Sequence, residues 1–182
     1  MSWYIKMLKG VHVALRAVER EDLSQLLEWR NNPNLRQYFR EFRELSQYNQ
    51  ELWFENKVIQ DPNTIMFSII EMENKKLLGA CGVCYIDWIN RSADFSIYIG
   101  HHDLYIDQVF APDTAHILVD YAFAELNLHR LWCEVYEFDI LKREMLESIG
   151  FKIDGRHRQT HWSQGKWCDS LFYSLLKTDS LI

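Results

Sequence analysis

The sequence is poor in the residues that interrupt regular structure. Its 182 residues include only 7 glycines and 3 prolines. No Pro/Gly-rich linker, repeat or low-complexity tract divides it, so one domain spanning residues 1–182 is expected. No apolar run approaches the roughly 18 residues of a membrane span, which excludes a helical membrane anchor. The start "MSWYIKMLKG" is too short and too mixed for a secretory core, so a cytoplasmic protein is expected. No long run of Lys or Arg occurs, the net charge is −6 and the pI about 5.6, which argues against nucleic acid as a partner. The densest basic spot, Arg156-His157-Arg158, reads as a solvated strand end. Cysteine is scarce, at four residues. Cys81 and Cys84 form a C-x-x-C, but "LLGACGVCYIDWI" reads as a strand, where positions three apart point to opposite faces. Buried thiols are expected rather than a redox pair or a metal knuckle. His157 and His161 fall two pleats apart on one strand, too far for a metal pair, and no metal is expected.

Apolar and aromatic residues are abundant, at 48% and 14%, enough for a sizeable core. "HVALRAV" (12–18) alternates like a strand. "EREDLSQLLEWRNN" has acids in its first turn and Leu23, Leu26 and Leu27 at helical spacing, and stops at Pro33. "LSQYNQELWFENKVI" is a second helix behind a Ser46 N-cap. "IMFSIIEM", "KLLGACGVCYID" and "ADFSIYIG" are strands. A helix follows from Pro112, with Ile117, Leu118, Tyr121 and Ala122 on its apolar face. "LHRLWCEVYEF" is a strand, and "ILKREMLESIG" a helix with Leu141, Met145 and Ile149 on one face and Gly150 after its end. The tail is a hairpin turning at Gln164-Gly165. The order β α α β β β α β α β β implies an α/β fold, a mixed central sheet flanked by helices.

That order and four stretches resemble the GNAT superfamily of acyl-CoA-dependent N-acyltransferases over residues 8–176. They are "LRAVEREDLSQLLEWRNNPNLRQYF", "KLLGACGVCYIDWINRSADFSIYIG", "LVDYAFAELNLHRLWCEVYEFD" and "ESIGFKIDGRHRQTHWSQGKWCDSLFYSLL". They are most similar to the branch of ribosomal-protein N-terminal acetyltransferases and amino-sugar-nucleotide acetyltransferases. The resemblance implies a GNAT fold whose central strands, 93–99 and 130–138, splay apart around acetyl-CoA. It implies pantetheine pairing with the backbone of Ile97, Tyr98 and Ile99, and a pyrophosphate on the amides of a loop at a helix N-terminus. The acceptor would be a small-molecule amine or a protein N-terminus, attacking the thioester directly, and the assembly leaves room for a homodimer.

The loop itself departs from the family. Where relatives read like "W-G-K-G-Y-A-T-E-A", this chain has Ile106, Asp107, Gln108, Val109, Phe110, Ala111, Pro112, Asp113 and Thr114. Both turn glycines are gone, Pro112 has no N–H, and Asp107 and Asp113 bring negative charge. Two unit charges about 5 Å apart repel by roughly 3 kcal/mol at an effective dielectric of ~20. Gln108, Val109, Phe110 and Ala111 nevertheless remain the residues that would meet the cofactor, with Asp139 at the family's Asn. The helix Tyr that serves relatives as an acid is Leu146 here. On the acceptor side Asp94 and Glu134 are the candidate general bases, and Arg30 and Asn31 of the W-R-N turn are candidate substrate-binding residues. The His101-His102 pair reads as solvated loop. Three readings follow: an acetyl-CoA-dependent N-acetyltransferase, a binding or assembly module that has lost acetyl-CoA, and a protein with another ligand in the notch.

Overall fold

A computed structural model describes residues 8–179 as one eight-stranded sheet with helices packed against it. The strands are β1 (Leu8–Lys9), β2 (Val13–Ala17), β3 (Ile65–Glu71), β4 (Leu77–Asp87), β5 (Ser92–Ile99), β6 (Arg130–Tyr136), β7 (Lys152–Ser163) and β8 (Lys166–Leu176). Their order in the sheet is β1-β2-β3-β4-β5-β6-β8-β7. Every neighbouring pair is antiparallel except β5 and β6. The helices are α1 (Leu23–Asn31), α2 (Pro33–Arg36), α3 (Gln47–Trp53), α4 (Phe110–Asp120) and α5 (Ile140–Ser148). None of the described helices is long and apolar enough to cross a membrane.

The feature that makes a site is the β5–β6 pair. Its ladder holds only at Ser92–Arg130, Ala93–Leu131 and Asp94–Trp132. Beyond Asp94 the two strands part, as the resemblance implied. Opposite the fork, β4 carries a register shift between Cys84 and Asp87, with Tyr85 at φ 51°. A bulge of this kind bends its strand and re-aims a side chain.

Local chemistry explains most element ends. Ser46 opens α3 with a reciprocal capping box: its hydroxyl accepts from the Asn49 amide, and the Asn49 side chain accepts from the Ser46 amide. Gln164 (φ 50°) and Gly165 (φ 79°) make the left-handed turn that joins β7 to β8. Gly150 takes φ 97° just after α5. Pro33 does more than end α1: with Asn32 capping Asn34, it becomes the first residue of the short α2. Two of the helices run on as wider turns, α3 through Phe54–Ile59 and α4 through Tyr121–Glu125.

Two helix faces differ from the apolar pattern. In α5, Leu141 is half exposed at 49%, whereas Lys142, Met145 and Leu146 are buried. The helix is rotated so that a lysine goes in, because a polar partner waits for it below. In α4, the helix begins at Phe110, two residues before Pro112, and buries Ala111, Thr114, Ala115, Leu118 and Val119. The four cysteines are free thiols. Cys81 is buried and Cys84 half-buried on the opposite face of β4, its thiol pushed up to about 12 by burial.

Candidate active site

A cavity of about 690 Å³ opens on the fork between β5 and β6. Strands β3 to β6 form its floor, and α1, α3 and the segment 38–45 cover it. Its volume lies in the ordinary range for a small-molecule site.

Asp94 stands at the last paired position of the fork, 7% exposed. Burial raises its pKa, against the pull of the Arg40 and Lys142 charges. A carboxylate so placed is a stronger base than a solvated one. Glu134 lines the same cavity from β6. The structure thus brings the two candidate bases together, and it shows what joins them. The Arg40 guanidinium reaches in from the covering segment, 3.3 Å from Asp94 Oδ2 and 3.6 Å from Glu134 Oε2. Sequence patterning does not single out Arg40, because "RQYFREFRE" has no period that marks one of its arginines.

The W-R-N turn divides its work. Arg30 lines the cavity and lies 4.3 Å over the Phe39 ring. Asn31 does not face the cavity. Its side chain donates to the Leu45 carbonyl and accepts from the Leu45 amide, both at 2.8 Å, so it clamps the covering segment. The structure places Arg30, and not Asn31, among the residues that line the cavity; the Asn31 side-chain amide satisfies the Leu45 peptide group on both its edges. Trp29 of the same turn packs on Gly100, where an added Cβ would fall 2.0 Å from the indole.

Deeper in the fork lies a polar pair that the sequence did not announce. Lys142 Nζ of α5 donates to Tyr105 Oη at 3.1 Å, both residues being buried. Tyr105 stacks on Tyr38, with centroids 4.4 Å apart. Asp139 caps α5 by accepting from the Lys142 amide at 3.2 Å. Burial pushes the Asp139 carboxyl up to about 6, and the Lys142 charge holds it from rising further. Leu146 is fully buried at 0% exposure, one turn beyond Lys142, and offers no proton.

The cofactor half of the fork looks different. Gly100 donates to Leu78 of β4, whereas Ile99 donates to the Tyr105 carbonyl, both at 2.8 Å. Odd-numbered amides of β5 therefore face the fork, and the Ile99 amide is already taken; that of Ile97 faces the same way. Ile97 and Tyr98 line the cavity. In the loop before α4, the Asp107 carboxylate accepts from the amides of Val109 (3.0 Å), Phe110 (2.9 Å) and Ala111 (2.7 Å). These are the amides expected to hold a pyrophosphate. Gln108 and Asp107 line a small groove of about 210 Å³ against α5. Asp113 is engaged away from this loop. Its carboxylate turns to the connection between β1 and β2 and accepts from the amides of Val11, His12 and Val13 at 3.1, 2.6 and 3.0 Å. The thioester and pantetheine end of an acyl-CoA fits the residues present; the diphosphate end finds its donors engaged.

The two histidines of β7 each have an aromatic neighbour. His161 stacks on Tyr136 at 3.7 Å, and His157 lies 4.4 Å from Phe172. A register shift between them separates the two rings.

The sequence profile of the acetyltransferase (GNAT) domain matches residues 12–152. An uncharacterized N-acetyltransferase, p20 of Bacillus licheniformis, is 28% identical over 169 residues, 92% of this chain and 94% of that one. The spermidine N(1)-acetyltransferase of Vibrio cholerae is 31% identical over 158 residues, 86% of this chain and 88% of that one. A crystal structure of spermidine N-acetyltransferase from Vibrio cholerae in complex with CoA and spermine superposes with a TM-score of 0.86 at 27% identity, covering 94% of this chain and 99% of that one. The relatives with a stated substrate thus acetylate spermidine, and the ribosomal-protein and amino-sugar branch suggested by the residues gives way to them.

Proposed function

This chain belongs to the GNAT family and is an N-acetyltransferase acting on amines, and from that premise we propose that its acceptor is a small amine carrying at least two positive charges, acetylated directly from acetyl-CoA. One observation carries the reading. A cation already sits between Asp94 and Glu134 in the cavity, and it is the chain's own Arg40. Two carboxylates around one nitrogen cation are the acceptor set that an alkylammonium's N–H groups also need. Spermidine, on which the Vibrio cholerae relative acts, and spermine, bound in its crystal structure, have that chemistry.

Each residue has a task in this reading. Asp94, raised by burial, takes the proton that the ammonium must lose before its nitrogen can attack. Glu134 stays as the counter-charge that orients the amine. Bound acetyl-CoA supplies the thioester carbonyl that accepts the amine. The Ile97 amide points into the fork, where it can donate to that carbonyl's oxygen. The covering segment 38–45, clamped by Asn31, keeps water from the base.

The test is release of free thiol from acetyl-CoA with a panel of acceptors. Spermidine or spermine should be used at least about tenfold better, by kcat/KM, than a monoamine of similar length; that factor is about 1.4 kcal/mol. Preference for a neutral amino sugar or for a peptide N-terminus would overturn the reading.

A further inference from the structure

The donor half of the fork carries an inference of its own, and it rests on the acyl-transfer reading above. A loop at a helix N-terminus binds a diphosphate because its amides are unpaired and aimed outward. Here the amides of Val109, Phe110 and Ala111 all end on one carboxylate, that of Asp107. A carboxylate at that place carries the charge and the acceptor oxygens that a phosphate would bring. The helix N-terminus is thus already neutralised from within the chain.

Among the described residues, those lining the neighbouring groove offer no replacement. The groove of about 210 Å³ beside the loop is lined by Asp107, Gln108, Glu144 and Ser148 among apolar neighbours. Two acids are among them and no cation. The two cations of α5 near this groove are committed elsewhere. Lys142 points inward to Tyr105, and Arg143 donates to the Glu137 carbonyl at 3.2 Å and lies 3.4 Å from Tyr173 Oη. A diphosphate entering here would displace one anion and meet another. The inner part of the fork differs: β5 and β6 are parted, the Ile97 amide faces the gap, and the cavity is roomy.

We propose that this enzyme recognises its acyl donor by the pantetheine arm and not by the diphosphate, so that thioesters lacking the diphosphate serve it about as well as acetyl-CoA. The chemistry of transfer is the same for either donor. The carbon–sulfur bond breaks, the amine forms the new carbon–nitrogen bond, and the pantetheine thiol leaves with a proton. What Asp107 changes is specificity. The class of donor admitted includes acetyl-pantetheine and its 4′-phosphate.

Titration of the whole protein with CoA, 4′-phosphopantetheine and pantetheine tests this without knowledge of the acceptor. The three dissociation constants should agree within about threefold, under 1 kcal/mol. A preference for CoA of a hundredfold or more would overturn the proposal while leaving the acetyl-CoA reading intact. Binding of none of the three would overturn the acetyl-CoA reading and this proposal with it. Asp107→Gly, checked for folding by its thermal melt, sharpens the result. Freed amides should tighten CoA binding about five- to thirtyfold and leave pantetheine unchanged, and equal tightening for both would count against the proposal.

Discussion

The two halves of the fork handle charge in opposite ways. On the acceptor side, Arg40 spans Asp94 and Glu134 at 3.3 and 3.6 Å, partly exposed above a cavity of about 690 Å³. Those are loose contacts, and a second cation could take them over. On the donor side, Asp107 holds three amides at 2.7–3.0 Å beside a groove of about 210 Å³. Those are short, convergent bonds within one turn of chain. An ion pair that spans a cavity exchanges with ligand at little cost, while a carboxylate that caps its own helix does not. On the two proposals above, the difference puts selectivity in the acceptor, through charge, and only weakly in the distal end of the donor.

The comparison breaks most decisively at Asp94. Asp94→Asn keeps the shape and removes the base. Turnover should fall about a hundred- to ten-thousandfold, roughly 3–5 kcal/mol of barrier, with CoA affinity nearly unchanged. A variant with full turnover would show that another group removes the proton, and the acceptor half would lose its distinction.

Asp139 sharpens the comparison from the boundary between the halves. Its folded pKa of about 6 lies above the unfolded value near 3.8. The folded state therefore binds the proton more tightly, and the associated stability is full below the unfolded value and lost as pH rises through about 6. Two units correspond to about 3 kcal/mol as an upper figure. Asp139→Asn should thus raise the melting temperature at pH 7 by several degrees, and the gain should shrink toward pH 4. Calorimetry across that range checks it; a loss of stability at pH 7 would mean that Lys142 needs the carboxylate more than the fold is spared by its removal.

Arg40 gives the smallest effect. Its charge holds the Asp94 pKa down, so Arg40→Met should move the rising acid limb of the rate profile to higher pH. The same change vacates the cation position, and KM for a dicationic amine should drop a few-fold, about 1 kcal/mol. A higher KM with an unmoved limb would assign Arg40 to substrate binding instead of substrate mimicry.

Much of this was open to a reader of the sequence, and the reasons for the rest are specific. Ser46, Gly150 and the Gln164-Gly165 turn were legible because each acts on its own neighbours. Asp94 and Glu134 were legible because the strands that carry them resemble the family's. The role of Asp107 was half legible: the missing glycines marked the loop, but an acid that repels an anion and an acid that impersonates one read the same in one dimension. Lys142 was hidden by its apolar neighbours. Leu141 and Ile149 suggested a helix face that the structure rotates away from, because Tyr105, 37 residues earlier, supplies the partner that lets a lysine be buried. Arg40 lies in an aperiodic segment, and its two partners come from strands 54 and 94 residues further along. Contacts of that span leave no local signature.

Asp113 has one more consequence, and it concerns the order in which the chain is assembled. Its carboxylate receives the amides of Val11, His12 and Val13 from about a hundred residues away. Gly10 is fitted to it so closely that an added Cβ would lie 2.4 Å from its oxygen. A chain emerging amino-end first exposes that hairpin long before its anchor exists. At about 5–20 residues per second, the first hairpin waits roughly 5–20 s for residue 113 to be made. The edge of the sheet nearest the start of the chain therefore receives this anchor only after β2 to β5 have been made, and before β6 to β8 exist.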